Sequence, residues 1–131
     1  MEDVDRGMRI LVVDDEQLVR WFLERALKKW GHEVVTASNV DEALGMINGR
    51  GFDLLFTDLR MPERGGADLL ERLSEIKGKQ PKVIVCSAFI TADMASDFRS
   101  RGYLTLKKPF KLSELQDTMR QCEDVDSPAE G

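Results

Sequence analysis

The chain has 131 residues, a net charge of −5, 42% hydrophobic and 33% charged residues. That bounds it to one ordinary globular unit, able to bury roughly two-thirds of its unfolded surface. The acidic balance and the scatter of Lys and Arg argue against direct nucleic-acid binding, which needs a concentrated basic face. No long apolar span or secretory leader is visible, so no membrane insertion is indicated and a cytoplasmic protein is expected.

β-like and helical periods alternate five times along the chain, which predicts an α/β fold: a (βα)5, flavodoxin-like, doubly wound parallel sheet with helices on both faces. The first strand is expected over 8–13. A helix follows, with Val19, Phe22, Ala26, Leu27 and Trp30 on one stripe and Gly31 just past its end. Trp21 and Trp30 read as packing residues, and His32 as a surface histidine. The second strand is Glu33–Ala37. Asn39 with Glu42 three residues on resembles a capping box and opens a short helix to about Ile47, which Asn48-Gly49-Arg50-Gly51 should break. After the third strand, Leu54-Leu55-Phe56-Thr57, comes a Pro62/Gly66 loop. Leu69, Leu70, Leu73 and Ile76 then mark a helix that Gly78 stops. The run Lys82-Val83-Ile84-Val85-Cys86 is nearly all apolar, as a central strand covered on both faces should be. Thr91 caps a fourth helix carrying Met94, Ala95 and Phe98. Tyr103-Leu104-Thr105-Leu106-Lys107 forms the last strand, and Ser113 or its neighbour starts a fifth helix with Leu115 and Met119. Cys86 and Cys122 lack metal-ligand spacing and read as buried thiols. The expected organisation is a folded domain over 1–122 and an acidic Ser/Pro/Gly tail over 123–131, too poor in apolar residues to fold alone.

Acids and one base stand where strands end. Asp58 closes the third strand before the Pro/Gly loop, Asp14-Asp15 close the first, and Lys108-Pro109 closes the fifth. In an open parallel sheet these ends converge on one crevice, so three carboxylates and an ammonium would share a pocket suited to a divalent metal and a phosphoryl group. Each residue alone has a plainer reading. Asp14-Asp15 could cap a helix, Asp58 could be a turn residue, Ser87 a satisfied loop hydroxyl, and Lys108 a solvated lysine.

Together the motifs resemble a response-regulator receiver domain, the phospho-acceptor half of a two-component signalling pair, over residues 4–122. The matching parts are Asp14-Asp15, Asp58 with Met61-Pro62 and Gly66, Ser87-Ala88, and Lys108-Pro109-Phe110. The run from Arg20 to Leu27 is also similar to receivers of enhancer-binding transcription activators.

The resemblance implies that Asp58 takes a phosphoryl group from a histidine kinase, a histidine phosphotransfer protein or a small donor such as acetyl phosphate. The chain would catalyse only its own phosphorylation and dephosphorylation. Mg²⁺ or Mn²⁺ would be held by Asp15, Asp58 and the backbone carbonyl of Arg60, with Asp14 acting through water. Lys108 would stabilise the transferred charge, and a cis Lys108-Pro109 bond is expected. Lys107 competes for that role, but strand alternation sends the two lysines to opposite faces, and the family's lysine directly precedes proline. Ser87 would be the switch residue, reading out through 92–122 to a downstream protein or output domain. Phosphorylation-dependent homodimers could form on that surface. The position three before Lys108, commonly aromatic in the family, is Thr105 here, with Tyr103 one pleat back on the same face. Phe89 and Arg60 flank the route of the hydrolytic water and are expected to slow dephosphorylation.

Other readings fit less well. A Mg²⁺-dependent phosphohydrolase of the haloacid dehalogenase type wants a second Asp where Arg60 stands. A pseudo-receiver acting as a constitutive binding module normally lacks an acid or the lysine, and both are present. A flavin site would need a Ser/Thr-rich loop where Asp14-Asp15-Glu16 lies.

Overall fold

Short apolar runs and amphipathic segments each fold as their periods dictate, in a computed structural model that describes residues 7–49, 51–61, 65–76 and 78–125. In chain order the elements are β1 (Arg9–Val13), α1 (Gln17–Lys29), β2 (Glu33–Ala37), α2 (Val40–Gly49) and β3 (Leu54–Thr57), then α3 (Gly66–Ser74), β4 (Lys82–Ser87), α4 (Ala92–Ser100), β5 (Leu104–Lys107) and α5 (Leu112–Val125). The strands form one sheet in the order β2-β1-β3-β4-β5, all pairs parallel. This is the flavodoxin-like doubly wound arrangement that the alternation predicted. Its switch point lies where β1 pairs with both β2 and β3, and the crevice sits at their carboxyl ends. No helix among the described residues is long and apolar enough to cross a membrane.

Strand alternation divides the core into two layers. Ile10, Val12, Leu54, Phe56, Ile84, Cys86 and Leu106 pack against Leu23, Ala26 and Leu27 of α1 and Leu115, Met119 and Cys122 of α5. The alternate positions, Leu11, Val13, Leu55, Val83 and Val85, pack against Val40 and Ala43 of α2 and Leu69, Leu70 and Leu73 of α3. Both cysteines are buried and neither is in a disulfide, and burial pushes the Cys86 thiol up to about 12, so it stays protonated and inert. The helix α4 differs from its neighbours. None of its residues is buried, and it rests on half-buried Met94, Ala95 and Phe98, with the Phe98 ring 6.3 Å from that of Tyr103.

Most helix ends follow the sequence signals. Gly31 and Gly102 take positive φ just past α1 and α4, a conformation that favours glycine. Thr91 Oγ1 accepts from the Met94 amide at 3.1 Å and caps α4. Asn39 Oδ1 accepts from the Glu42 amide at 2.8 Å, but the Glu42 carboxylate reaches past it to the Ser38 amide.

Some boundaries differ from expectation. Asn48 and Gly49 complete the last turn of α2 rather than breaking it, because a glycine weakens a helix end without forbidding it. The helix α3 stops at Ser74, and Ile76 tucks onto the core through a turn held by its amide to the Leu73 carbonyl. The tail expected from 123 begins inside α5, which continues to Val125, and its remainder lies outside the described residues. Trp21 is 55% exposed rather than packed, with the Arg25 guanidinium 4.8 Å from its ring centroid. His32 is half-buried, its Nδ1 accepting from the Met8 amide at 3.0 Å.

Candidate functional site

Register brings the strand-end residues together. Val13 pairs with Thr57, and Ser87 pairs with Lys107, so Asp14, Asp58 and Lys108 each stand one residue past a paired position. Backbone bonds tie them there: the Asp14 amide to Ala37, the Asp58 amide to Val13 and the Lys108 amide to Ser87, at 3.1, 3.1 and 2.9 Å. All three continue the parity of the α1/α5 layer, which aims their side chains into one crevice. Lys107 falls on the opposite parity and is exposed, away from the two aspartates.

Lys108 Nζ lies 2.7 Å from Asp14 Oδ2 and 2.8 Å from Asp58 Oδ2, with Glu16 Oε1 a third acidic neighbour at 3.4 Å. The Lys108-Pro109 bond is cis. Asp14 and Asp58 are buried, whereas Asp15 is exposed and has no hydrogen bond or ion pair among the described residues. Burial raises the Asp14 carboxyl above its ordinary range, partly offset by Lys108 and by the Glu16 amide on Oδ1. Burial alone would lower Lys108, but its bonds and charge contacts with Asp14 and Asp58 outweigh it and raise the ammonium.

The three aspartates can each bring a carboxylate oxygen within 4.8 Å of the others. Hard oxygen donors at that spacing, one of them unpartnered, fit Mg²⁺ or Mn²⁺, which would relieve the repulsion that the single Lys108 ammonium leaves among three carboxylates. Arg60 belongs to the loop after Asp58, where its amide donates to Asp58 Oδ1 at 3.2 Å. Met61 is half-buried, and Pro62 lies outside the described residues.

Gly66, the first residue of α3, lies against the Asp58 backbone. A Cβ there would collide with the Asp58 carbonyl and meet Thr57 Oγ1 at 3.0 Å, so only glycine lets α3 start against the acid's own backbone. Ser87 is buried on the opposite layer, its Oγ accepting from the Phe89 amide at 3.3 Å. Thr105, paired with Val85, and Tyr103, stacked on Phe98, share its parity on the α4 side. Phe89 is 56% exposed, and the Arg60 guanidinium sits 4.0 Å from its ring centroid. The two residues expected to slow dephosphorylation are therefore in direct contact with each other.

Sequence reasoning did not foresee the Glu16 contact or the bond from Arg20 Nη1 to the Asp14 carbonyl at 2.6 Å. The acid run Asp14-Asp15-Glu16 was a signal for the first. Nothing in a single sequence marks the second.

Comparison with known proteins follows the same lines. The response regulator receiver domain matches residues 10–120. The chain is 30% identical to sporulation initiation phosphotransferase F of Bacillus subtilis, over 86% of this chain and 91% of that protein. It is 36% identical to the DNA-binding transcriptional regulator NtrC of Azospirillum brasilense over 91% of this chain, yet spans only 25% of that protein. Among solved structures, response regulator TrrA of Thermotoga maritima, in complex with Mg²⁺-BeF, is similar at 32% identity and a TM-score of 0.72, covering 86% of this chain and 96% of that one.

Proposed function

The chain belongs to the response regulator receiver family, and on that premise we propose that it is a phospho-accepting switch with Asp58 as the acceptor. The observation that carries this reading is the Lys108 ammonium held between Asp14 and Asp58 beside an unpartnered Asp15. An Asp58 carboxylate oxygen attacks the phosphorus of a donor phosphohistidine, the P–N bond breaks, and the imidazole leaves. The product is an acyl phosphate, which water later cleaves back to carboxylate and inorganic phosphate. Asp15, Asp58 and the Arg60 carbonyl would hold Mg²⁺, with Asp14 reaching it through water. When bound, the ion offsets the carboxylate charge and that of the phosphoryl oxygens. Lys108 loses its contact with Asp58 on transfer and takes a phosphoryl oxygen instead, stabilising the same charge.

Ser87 acts as the switch. Its hydroxyl, now an acceptor for the Phe89 amide, turns to donate to the phosphoryl group and releases that amide. The displacement passes to Thr105, Tyr103 and the α4, β5 and α5 surface, biasing two arrangements of it. The partners are a sensor histidine kinase or phosphotransfer protein upstream and a downstream protein or output domain, with homodimerisation through the same surface. A cytoplasmic setting suits this function. The similarity to NtrC supports a receiver of the enhancer-binding activator type.

The test is intact-mass measurement after incubation with acetyl phosphate and Mg²⁺. One phosphoryl adduct on the wild type, absent from Asp58→Asn and from a chelated sample, is expected. No adduct, with beryllofluoride also failing to bind, would make the chain a pseudo-receiver binding module instead.

A further inference from the structure

We propose that Arg20 is a positioning residue for divalent-metal binding, acting through the Asp14–Asp15 peptide. The inference rests on the reading that the acidic trio holds a divalent cation. Asp14 is the point where the chain leaves the sheet, and its own polar groups are held. Its amide goes to Ala37, its Oδ1 takes the Glu16 amide, and its carbonyl takes Arg20 Nη1 at 2.6 Å from six residues along the sequence. The Val19 and Arg20 amides then close onto the Glu16 carbonyl and start α1. Asp15 is thus the one residue of this bend whose side chain is left unengaged, while the peptide planes on both sides of it are fixed. A ligand fixed in backbone and free in side chain is preorganised for an ion.

The second acid is held in the same way. The Asp58 carbonyl accepts from Thr57 Oγ1 at 2.9 Å, so at both strand ends a side chain clamps the carbonyl that follows the sheet. Arg20 is the longer clamp and the charged one. Its charge makes the idea testable by sign. A positive group near the site repels a divalent cation, so removing it should tighten metal binding if charge were all it contributed. If it positions the Asp14–Asp15 peptide, removal should weaken binding, by about tenfold for an outer-shell partner.

The experiment titrates the full chain with Mn²⁺, following the free ion by electron paramagnetic resonance, for wild type, Asp15→Asn, Arg20→Gln and Arg20→Lys. Thermal melts in chelator run alongside. The expected order of affinity is wild type, then Arg20→Lys, then Arg20→Gln weaker than wild type by about tenfold. Arg20→Gln binding Mn²⁺ as tightly as wild type, or more tightly, overturns the proposal even if its melting temperature falls. Should Arg20→Gln fail to fold, Arg20→Lys carries the test, and an affinity equal to wild type overturns it. Failure of the underlying site reading is a different result: wild type that binds no Mn²⁺, or binding untouched by Asp15→Asn.

Discussion

The stacked pair of Arg60 and Phe89 sets an expected rate for loss of the phosphoryl group. The guanidinium lies 4.0 Å from the ring centroid, and Phe89 is 56% exposed, so the stack is of the solvent-exposed kind, worth about 0.5–1 kcal/mol. If the closed pair screens Asp58 from water and the open pair admits it, the hydrolysis rate follows the open population. Removing the stack then raises that rate about two- to fivefold, since about 1.4 kcal/mol is tenfold. Phe89→Ala and Arg60→Ala should each shorten the half-life by that factor. The double variant should be no faster than either single one, because all three lose the same interaction. Phe89→Glu should shorten it too, by placing a polar group beside the water. The assay is decay of the phosphoryl adduct by intact mass after the donor is removed by desalting. An unchanged half-life in Phe89→Glu or in either alanine variant, or effects that multiply in the double one, would refute the reasoning.

Asp14 gives an inverted pH dependence. Its raised carboxyl keeps a proton in the folded state to higher pH than in the unfolded chain, whose ordinary value is 3.8. The folded state therefore binds more protons across that window, and stability falls as pH rises through it. In chelator, Asp14→Asn should abolish this loss and melt above the wild type at pH 7, and Mg²⁺ should narrow the difference. A variant no more stable than wild type at pH 7 would contradict the assignment. Gly66→Ala should cost about 1–3 kcal/mol in urea unfolding, because its methyl must displace the Asp58 carbonyl. It should also slow adduct formation, on the order of a hundredfold for a displacement near 1 Å. A normal phosphorylation rate would mean that α3 can yield without moving the acid.

Much of this was legible in the sequence for a physical reason. Strands such as Lys82–Ser87 are buried on both faces and read as unbroken apolar runs, while Leu23, Ala26 and Leu27 repeat at the helical period. The site was legible because parallel strands end on one side, so Asp14, Asp58 and Lys108 could be placed together from order alone. Helix ends were less so. Asn48-Gly49 and Ile76 lie where one more turn costs little either way, and packing rather than local chemistry decides. Contacts made by long side chains were not legible. The stack of Arg60 on Phe89 joins two loops 29 residues apart in sequence, and the reach of Arg20 depends on how the bend at Asp14 orients its carbonyl.

The absence of any buried residue in α4 divides the molecule into parts with different freedom to change. At the acidic end, a methyl on Gly66 is enough to collide with the Asp58 carbonyl, so substitutions there displace the acid's own backbone. On α4, most side chains can be exchanged without opening a cavity or stranding a polar group, since stability there rests on one cap and a few half-buried contacts. If partners dock on that face as proposed, their choice can drift while the acidic end stays fixed, and a new recognition surface could be grafted onto α4 without redesigning the domain beneath it.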